Sequence, residues 1–138
     1  MSVQQYLLNL TFKFLGIPYI YGGSSPRVGF DCSGFVIWIL QVFGRLPSGD
    51  WTSEDLSKLF TKTDSPQIGD LAFYGGNHTV SHVMMCIGNG TVIGASGGDH
   101  TTLTVEDALK RNAMVKTKPM HYRSDFLFTV DTTSKITT

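Results

Sequence analysis

The sequence predicts an α+β domain in which amino-terminal helices pack on a mainly antiparallel sheet of five to six strands. Up to about residue 60, apolar side chains recur at helical spacing, whereas after Pro66 short β-favouring runs alternate with turn residues. With 138 residues, 41% of them hydrophobic, the chain is long enough for one domain with its own core. We expect that domain to span residues 1–131, followed by a flexible Thr/Ser/Lys-rich tail at 132–138.

Three helices are expected before residue 61. A capping box at Ser2 and Gln5 opens the first helix. The segment 35–43 is apolar on every side, which predicts a helix in the middle of the fold, although a buried strand would have the same pattern. Thr52 and Asp55 open a short third helix.

The second half of the chain predicts five strands and one helix. An Asn89-Gly90 pair, typical of a hairpin turn, joins two of the strands, and a helix over 104–112 interrupts the series. The expected strands are Leu71–Tyr74, Val80–Ile87, Thr91–Ala95, Met114–Lys118 and Phe126–Val130.

Charge and hydropathy patterns argue against several classes of partner. Eleven basic residues balance eleven acidic ones, so nothing suggests a nucleic-acid partner or a polybasic membrane contact. We see no signal peptide and no apolar run long enough to span a membrane. We therefore expect a protein made in the cytoplasm, where a structural disulfide is unfavoured. We also expect a monomer.

Cys32 lies at the expected start of the apolar helix, where free backbone N–H groups and the helix dipole stabilise a thiolate. The same N–H groups could hold a developing oxyanion. Gly34 keeps the approach to the sulfur open. Free cysteines are also common as small core residues, so position alone leaves both interpretations open.

His82 lies within the expected strand 80–87. A histidine in such a strand is more often structural than catalytic. Here, however, a helix that carries a cysteine would face a sheet that carries a histidine, which is how a Cys–His nucleophile is built. Strand alternation places His82, Met84 and Cys86 on one face, so Cys86 is interpreted as a packing residue.

The remaining histidines and the glycine pairs are less informative. We expect His78 and His121 at the surface, and His100 in a loop that could reach the site of His82. No Cys-x-x-Cys or His-Glu-x-x-His spacing exists, so neither a metal site nor a cofactor is expected.

Together these motifs resemble the NlpC-type family of papain-like cell-wall peptidases. The resemblance covers about residues 6–96 in the family's order. It rests on a Tyr-x-Tyr-Gly-Gly stretch, an Asp-Cys-Ser-Gly motif, a Gly-Asp-Leu strand start and a Ser-His-Val strand, found at residues 19–23, 31–34, 69–71 and 81–83.

The resemblance implies a papain-like fold and a role for each matching residue. Cys32 would attack a peptide carbonyl, and His82 would take the thiol proton and return it to the leaving amine. The backbone N–H of Cys32 or Ser33 and the hydroxyl of Tyr19 would stabilise the oxyanion. Asp31 would brace the loop or bind a substrate amine. The implied substrates are peptidoglycan stem peptides.

One position departs from the family's pattern. The family normally has a polar residue, often histidine, that orients the catalytic histidine, and Gly94 occupies that place here. Either another group substitutes, namely His100, Asp99, Ser96 or a water molecule beside Gly94, or the base is held less firmly. We favour His100 as the third residue.

The leading functional hypothesis is a cysteine peptidase or amidase of peptidoglycan, acting as a phage lysin or tail-associated hydrolase after release or delivery to the wall. An interbacterial amidase toxin and a Cys–His acyltransferase are alternative hypotheses in which the protein is an enzyme. A non-catalytic wall-binding or phage structural domain with a degenerate site is the alternative outside enzymes.

Overall fold

A computed structural model describes residues 1–136 of the chain. Within that range it contains four α-helices and eight strands. The helices are α1 (Val3–Phe12), α2 (Cys32–Val42), α3 (Ser53–Leu59) and α4 (Val105–Arg111). The strands are β1 (Ser24–Ser25), β2 (Gly29–Phe30), β3 (Thr61–Thr63), β4 (Leu71–Tyr74), β5 (His82–Gly88), β6 (Thr91–Ser96), β7 (Met114–Pro119) and β8 (Phe126–Asp131).

Side-chain caps fix where the helices begin. The capping boxes predicted at Ser2 and Thr52 are both present, and a third at Thr104 opens α4. Asp31 caps α2 with its carboxylate. Within residues 1–136, no helix is both long and apolar enough to cross a bilayer.

Six strands form one antiparallel sheet in the order β3-β8-β4-β5-β6-β7, which confirms the predicted α+β class. The five predicted strands are all present. The sequence did not predict β3 or the small β1–β2 hairpin, because strands of two or three residues leave no readable alternation.

The two faces of the sheet bury different groups of side chains. The α2 helix covers one face, where its Phe35, Val36, Ile39 and Leu40 are fully buried, and this settles that the apolar segment is a helix. The opposite face carries a smaller cluster of Ala72, Tyr74, Met84, Cys86 and Val92. Cys86 is thus a packing residue, as the alternation indicated.

The expected tail starts at Thr132, a residue that is buried in the domain. Thr132 is 2% exposed, and its backbone N–H donates to Asp70 Oδ1 at 3.0 Å. Its hydroxyl donates to the carbonyl of Gly69 at 2.7 Å and accepts from Arg45 Nη1 at 3.1 Å. Thr132 and Ser134 are thus hydrogen-bonded to the domain, whereas Thr133 and Lys135 are exposed, and residues 137–138 lie outside the described range.

Replacing Thr132 by Val should lower the free energy of unfolding by about 1–3 kcal/mol, because the Gly69 carbonyl and the Arg45 guanidinium each lose a hydrogen bond. Urea denaturation measures this change. The matched control is Thr133→Val at an exposed neighbour, expected to stay within about 0.5 kcal/mol of wild type. Equal losses in the two variants would contradict this account.

Candidate active site

The carboxylate of Asp31 joins the first turn of α2 to the glycine loop before it. Its Oδ1 accepts from the backbone N–H of Gly34 at 2.7 Å and from the Ser33 hydroxyl at 3.3 Å. Its Oδ2 accepts from the backbone N–H of Gly22 at 3.1 Å. Both oxygens therefore hold the start of α2 against the loop. This arrangement corresponds to the first of the two roles expected for Asp31, which was to brace the loop.

The glycine of the Asp-Cys-Ser-Gly motif allows a close backbone contact. A Cβ on Gly34 would lie 2.0 Å from the carbonyl oxygen of Gly23, a separation that real Cβ atoms do not reach. The helix start can therefore approach the loop only with glycine at this position. That approach fixes where the side chain of Cys32 emerges.

The thiol of Cys32 lies between α2, α3 and β5. Its Sγ is 3.8 Å from the Ser53 hydroxyl at the start of α3. Burial raises the pKa of Cys32 above its ordinary value, and hydrogen bonds from Ser53 and from the backbone N–H of Val83 and Ser33 oppose that rise in part. The sequence suggested that the helix end would favour a thiolate, whereas burial favours the neutral thiol.

Ser53 was not recognised as a partner of the thiol from sequence. It lies 21 positions from Cys32, and only its place in a helix cap was readable. Contacts that depend on how two helices meet leave no signal in a local pattern.

His82 begins β5 and is 8% exposed. Its Nε2 lies 2.9 Å from the hydroxyl of Tyr122, and its ring packs against Tyr74 with 5.5 Å between centroids. Burial lowers the pKa of His82 to about 4; the nearby Arg123 cation lowers it further, and Asp125 opposes both. The imidazole is therefore neutral at neutral pH.

The backbone at the start of β5 lies beside the thiol of Cys32, but the ring of His82 is not among the side chains that line the groove of Cys32. The thiol interacts with the backbone N–H of Val83, the residue directly after His82. Among residues 1–136 no hydrogen bond joins the thiol to the imidazole, and Nδ1 of His82 has no protein partner. Nδ1 keeps some contact with solvent, since every fully buried side-chain nitrogen or oxygen in that range is hydrogen-bonded.

At position 94 the resemblance expects a side chain that orients the catalytic histidine. Gly94 has no side chain, and the side chain of Met84 occupies the space beside it. The two residues face each other on neighbouring strands, given the pairing of Met85 with Ile93. A Cβ on Gly94 would lie 2.7 Å from Met84 Sδ. A larger residue at position 94 would therefore have to displace the methionine.

The structure does not bring His100 to His82, contrary to the preference drawn from the sequence. His100 is exposed, and no hydrogen bond joins it to His82 among the described residues. The adjacent Asp99 binds Arg111 at 2.8 Å and closes a tight turn through Thr101. That turn keeps the loop at the surface beside α4.

Tyr122 occupies the place considered for the third residue. Its hydroxyl contacts His82 Nε2 and lies 3.4 Å from the Ser96 hydroxyl. Ser96, one of the alternatives weighed from sequence, makes no hydrogen bond to His82 among the described residues, and its hydroxyl contacts that of Tyr122 instead. Sequence reasoning missed Tyr122 because it lies in the turn after β7, forty residues from His82 and beyond the recognisable motifs.

Tyr19 is held at the site by the glycine loop after β6. Its ring is 8% exposed, and a Cβ on Gly98 would lie 2.2 Å from the ring carbon Cδ1. Burial raises the pKa of Tyr19, and the negative charges of Cys32 as thiolate and of Asp31 raise it further. The hydroxyl therefore stays protonated and able to donate.

An open groove of about 510 Å³ runs past the cysteine. A smaller depression of about 270 Å³ continues beyond Asp31, Ser33 and Trp51, which line both. The groove is lined by the acidic side chains of Asp31 and Glu54, and the depression also by that of Asp50. No basic residue lines the groove or the depression. The groove residues are Tyr19, Asp31, Cys32, Ser33, Trp51, Thr52, Ser53, Glu54, Val80 and Ser81.

Relatives among curated proteins cover this region of the chain. The bifunctional muramidase/DL-endopeptidase CwlT of Bacillus subtilis is 32% identical over 100 residues, 70% of this chain and 30% of that protein. The gamma-D-glutamyl-L-lysine dipeptidyl-peptidase of Bacillus cereus is 38% identical over 90 residues, 63% of this chain and 27% of that protein. The chain thus spans less than a third of the length of these two relatives.

Solved structures agree with the fold. An NlpC/P60 family protein from Bacillus cereus superposes with a TM-score of 0.75 at 28% identity, over 94% of this chain and 40% of that one. The NlpC/p60 domain of the peptidoglycan hydrolase SagA superposes with a TM-score of 0.68 at 27% identity, over 94% of this chain and 99% of that one.

A family model described as the NlpC/P60 family matches residues 16–123, which include Tyr19, Cys32, His82 and Tyr122. The resemblance drawn from the motifs is thereby confirmed. The chain belongs to the NlpC/P60 family.

Proposed function

We propose that this chain hydrolyses an amide bond in peptidoglycan stem peptides, with Cys32 as the nucleophile and His82 as the general base. The observation that carries the proposal is the placement of the thiol at the free end of α2, beside the first residues of β5 and on an open groove. Such a groove admits an extended peptide, which a closed cavity would not.

The oxyanion would form next to the first turn of α2. The first N–H groups of a helix have no partner within the helix, and among the described residues Asp31 takes only that of Gly34. The N–H of Cys32 has no partner among the described residues, and that of Ser33 hydrogen-bonds the Cys32 sulfur at rest; both can donate to a carbonyl oxygen as it gains charge. The protonated hydroxyl of Tyr19 is a third donor on the same groove.

Proton transfer follows from the protonation states at rest. Burial raises the pKa of Cys32 and lowers that of His82 to about 4, so the pair is a neutral thiol and a neutral imidazole near pH 7. The thiol proton passes to His82 as the sulfur attacks, and His82 returns it to the leaving amine. Water then hydrolyses the thioester and regenerates the thiol.

The substrate class is proposed from the groove and from the relatives. The relatives named above are a DL-endopeptidase and a gamma-D-glutamyl-L-lysine dipeptidyl-peptidase. The acidic lining of the groove suits a stem peptide that carries a free amine. We therefore favour a bond next to a D-glutamyl residue.

Replacing Cys32 by Ala should abolish release of peptide fragments from peptidoglycan, because no other side chain on the groove is a thiol. Mass spectrometry of the muropeptides measures the products and identifies the bond that is cut. The midpoint of thermal unfolding should stay close to that of wild type.

The control is Cys86→Ala, on the opposite face of the sheet, which should keep its activity despite some loss of stability. Muropeptide release by Cys32→Ala at the wild-type rate would refute the nucleophile assignment.

The rate of alkylation of Cys32 by iodoacetamide should rise steadily between pH 6 and pH 9. A thiol whose pKa is raised by burial forms more of the reactive thiolate as the pH increases. A preformed thiolate–imidazolium pair would instead react at a nearly constant rate over this range. Cys86 should remain unlabelled in the native protein, since it is 2% exposed and burial raises its pKa to about 12.

Replacing Gly98 by Ala should lower the activity at least tenfold, because the added methyl group collides with the ring of Tyr19 and displaces its hydroxyl. The matched control is Gly76→Ala, where a Cβ meets no atom within 4 Å. Hydrolysis rates of the two variants, with circular dichroism as a check on folding, measure the effect. Unchanged activity in Gly98→Ala would show that Tyr19 does not contribute.

A further inference from the structure

The imidazole of His82 is oriented by a residue outside the family's usual position. We infer that Tyr122 is the positioning residue of the site, with its hydroxyl oxygen accepting a hydrogen bond from the Nε2–H of His82. The contact of 2.9 Å carries this inference, which rests on the proposed function for its catalytic meaning. The consequence is that Nδ1 is the basic nitrogen left for the thiol of Cys32.

The turn that carries Tyr122 is fixed on several sides. The backbone N–H of Met120 donates to the carbonyl of Gly90 at 2.8 Å, and the carbonyl of Met120 accepts from the Tyr74 hydroxyl at 2.7 Å. The rings of Tyr74 and Tyr122 meet edge to face with 5.6 Å between centroids. A hydroxyl held in this way can fix a ring that rests against the same Tyr74.

The groups around the Tyr122 hydroxyl leave its oxygen available as an acceptor. The Ser96 hydroxyl at 3.4 Å can take the phenol hydrogen. The Arg123 guanidinium lies beside the same oxygen and can only donate, and it is itself held by two hydrogen bonds to Asp125 at 2.8 and 2.6 Å. With its hydrogen directed to Ser96, the oxygen keeps a lone pair for His82.

The contact matters most once the imidazole is charged. When the S–H bond of Cys32 breaks, its proton forms an N–H bond at Nδ1, and both ring nitrogens then carry hydrogen. Tyr122 must accept from Nε2 at that stage, because neither imidazolium nitrogen has a lone pair. When the C–N bond of the substrate breaks, the proton on Nδ1 passes to the amine, and Nε2–H remains on Tyr122 throughout.

The absence of a side chain at Gly94 and the contact of Tyr122 with His82 are related, because Tyr122 supplies the polar group that position 94 lacks. Met84 fills the volume next to Gly94, so no polar group reaches His82 from β6 at that position. The hydroxyl of Tyr122 reaches the ring instead from the turn between β7 and β8. An inspection of position 94 alone would therefore suggest, wrongly, that no side chain orients His82.

The test is Tyr122→Phe, which keeps the aromatic ring and removes only the hydroxyl. Nitrogen-15 spectra of histidine-labelled protein, with the signals of His82 assigned through His82→Gln, report which ring nitrogen carries the hydrogen. In wild type we expect Nε2–H alone, and in Tyr122→Phe a mixture of the two tautomers. With peptidoglycan fragments as substrate, we expect kcat to fall about 10- to 100-fold and KM to change less than twofold.

The control is Tyr6→Phe on the exposed face of α1, expected to leave the spectra and kcat unchanged. If the tautomer of His82 is the same in Tyr122→Phe as in wild type, the inference is overturned, whatever the activity. If the tautomer changes while wild-type protein releases no peptide fragments, Tyr122 does orient His82 and it is the proposed function that fails.

Discussion

The rest of the site depends on the hydrogen bonds that the two oxygens of the Asp31 carboxylate accept. One oxygen caps α2 at Gly34 while the other holds the backbone N–H of Gly22, so the helix start and the glycine loop cannot separate. The contact is possible because Gly34 and Gly23 have no side chains to keep the two backbones apart. It holds Cys32 and the backbone N–H groups of the first turn of α2 at one edge of the sheet.

The sheet supplies the other half of the site through strand alternation. Val83 and Met85 face α2 and belong to the main core, whereas Met84 and Cys86 pack in a small cluster on the far side. His82 stands at the start of the strand, where its ring can rest on the far-side aromatic residues while its backbone stays close to the thiol. Burial keeps the thiol of Cys32 and the imidazole of His82 uncharged near neutral pH.

Features carried by local patterns could be predicted from the sequence. Caps at Ser2 and Thr52, the apolar stretch of α2 and the alternation around His82 all express short-range rules, and they were confirmed. The contact of Tyr122 with His82 could not be predicted, because the two residues lie forty positions apart and Tyr122 belongs to a turn without a motif. The packing of Thr132 was missed for a related reason. A polar carboxy-terminal segment is predicted to be flexible unless its hydrogen-bond partners, here Asp70 and Gly69, are known.

The most direct test of the account is to trap the acyl-enzyme. Protein mixed with a soluble stem peptide and quenched in acid within milliseconds is examined intact and after digestion by mass spectrometry. The account predicts an added mass equal to the acyl fragment of the cleaved peptide, carried by Cys32 as a thioester and absent from Cys32→Ala. Hydrolysis of the peptide without any adduct on Cys32 in either protein would contradict it.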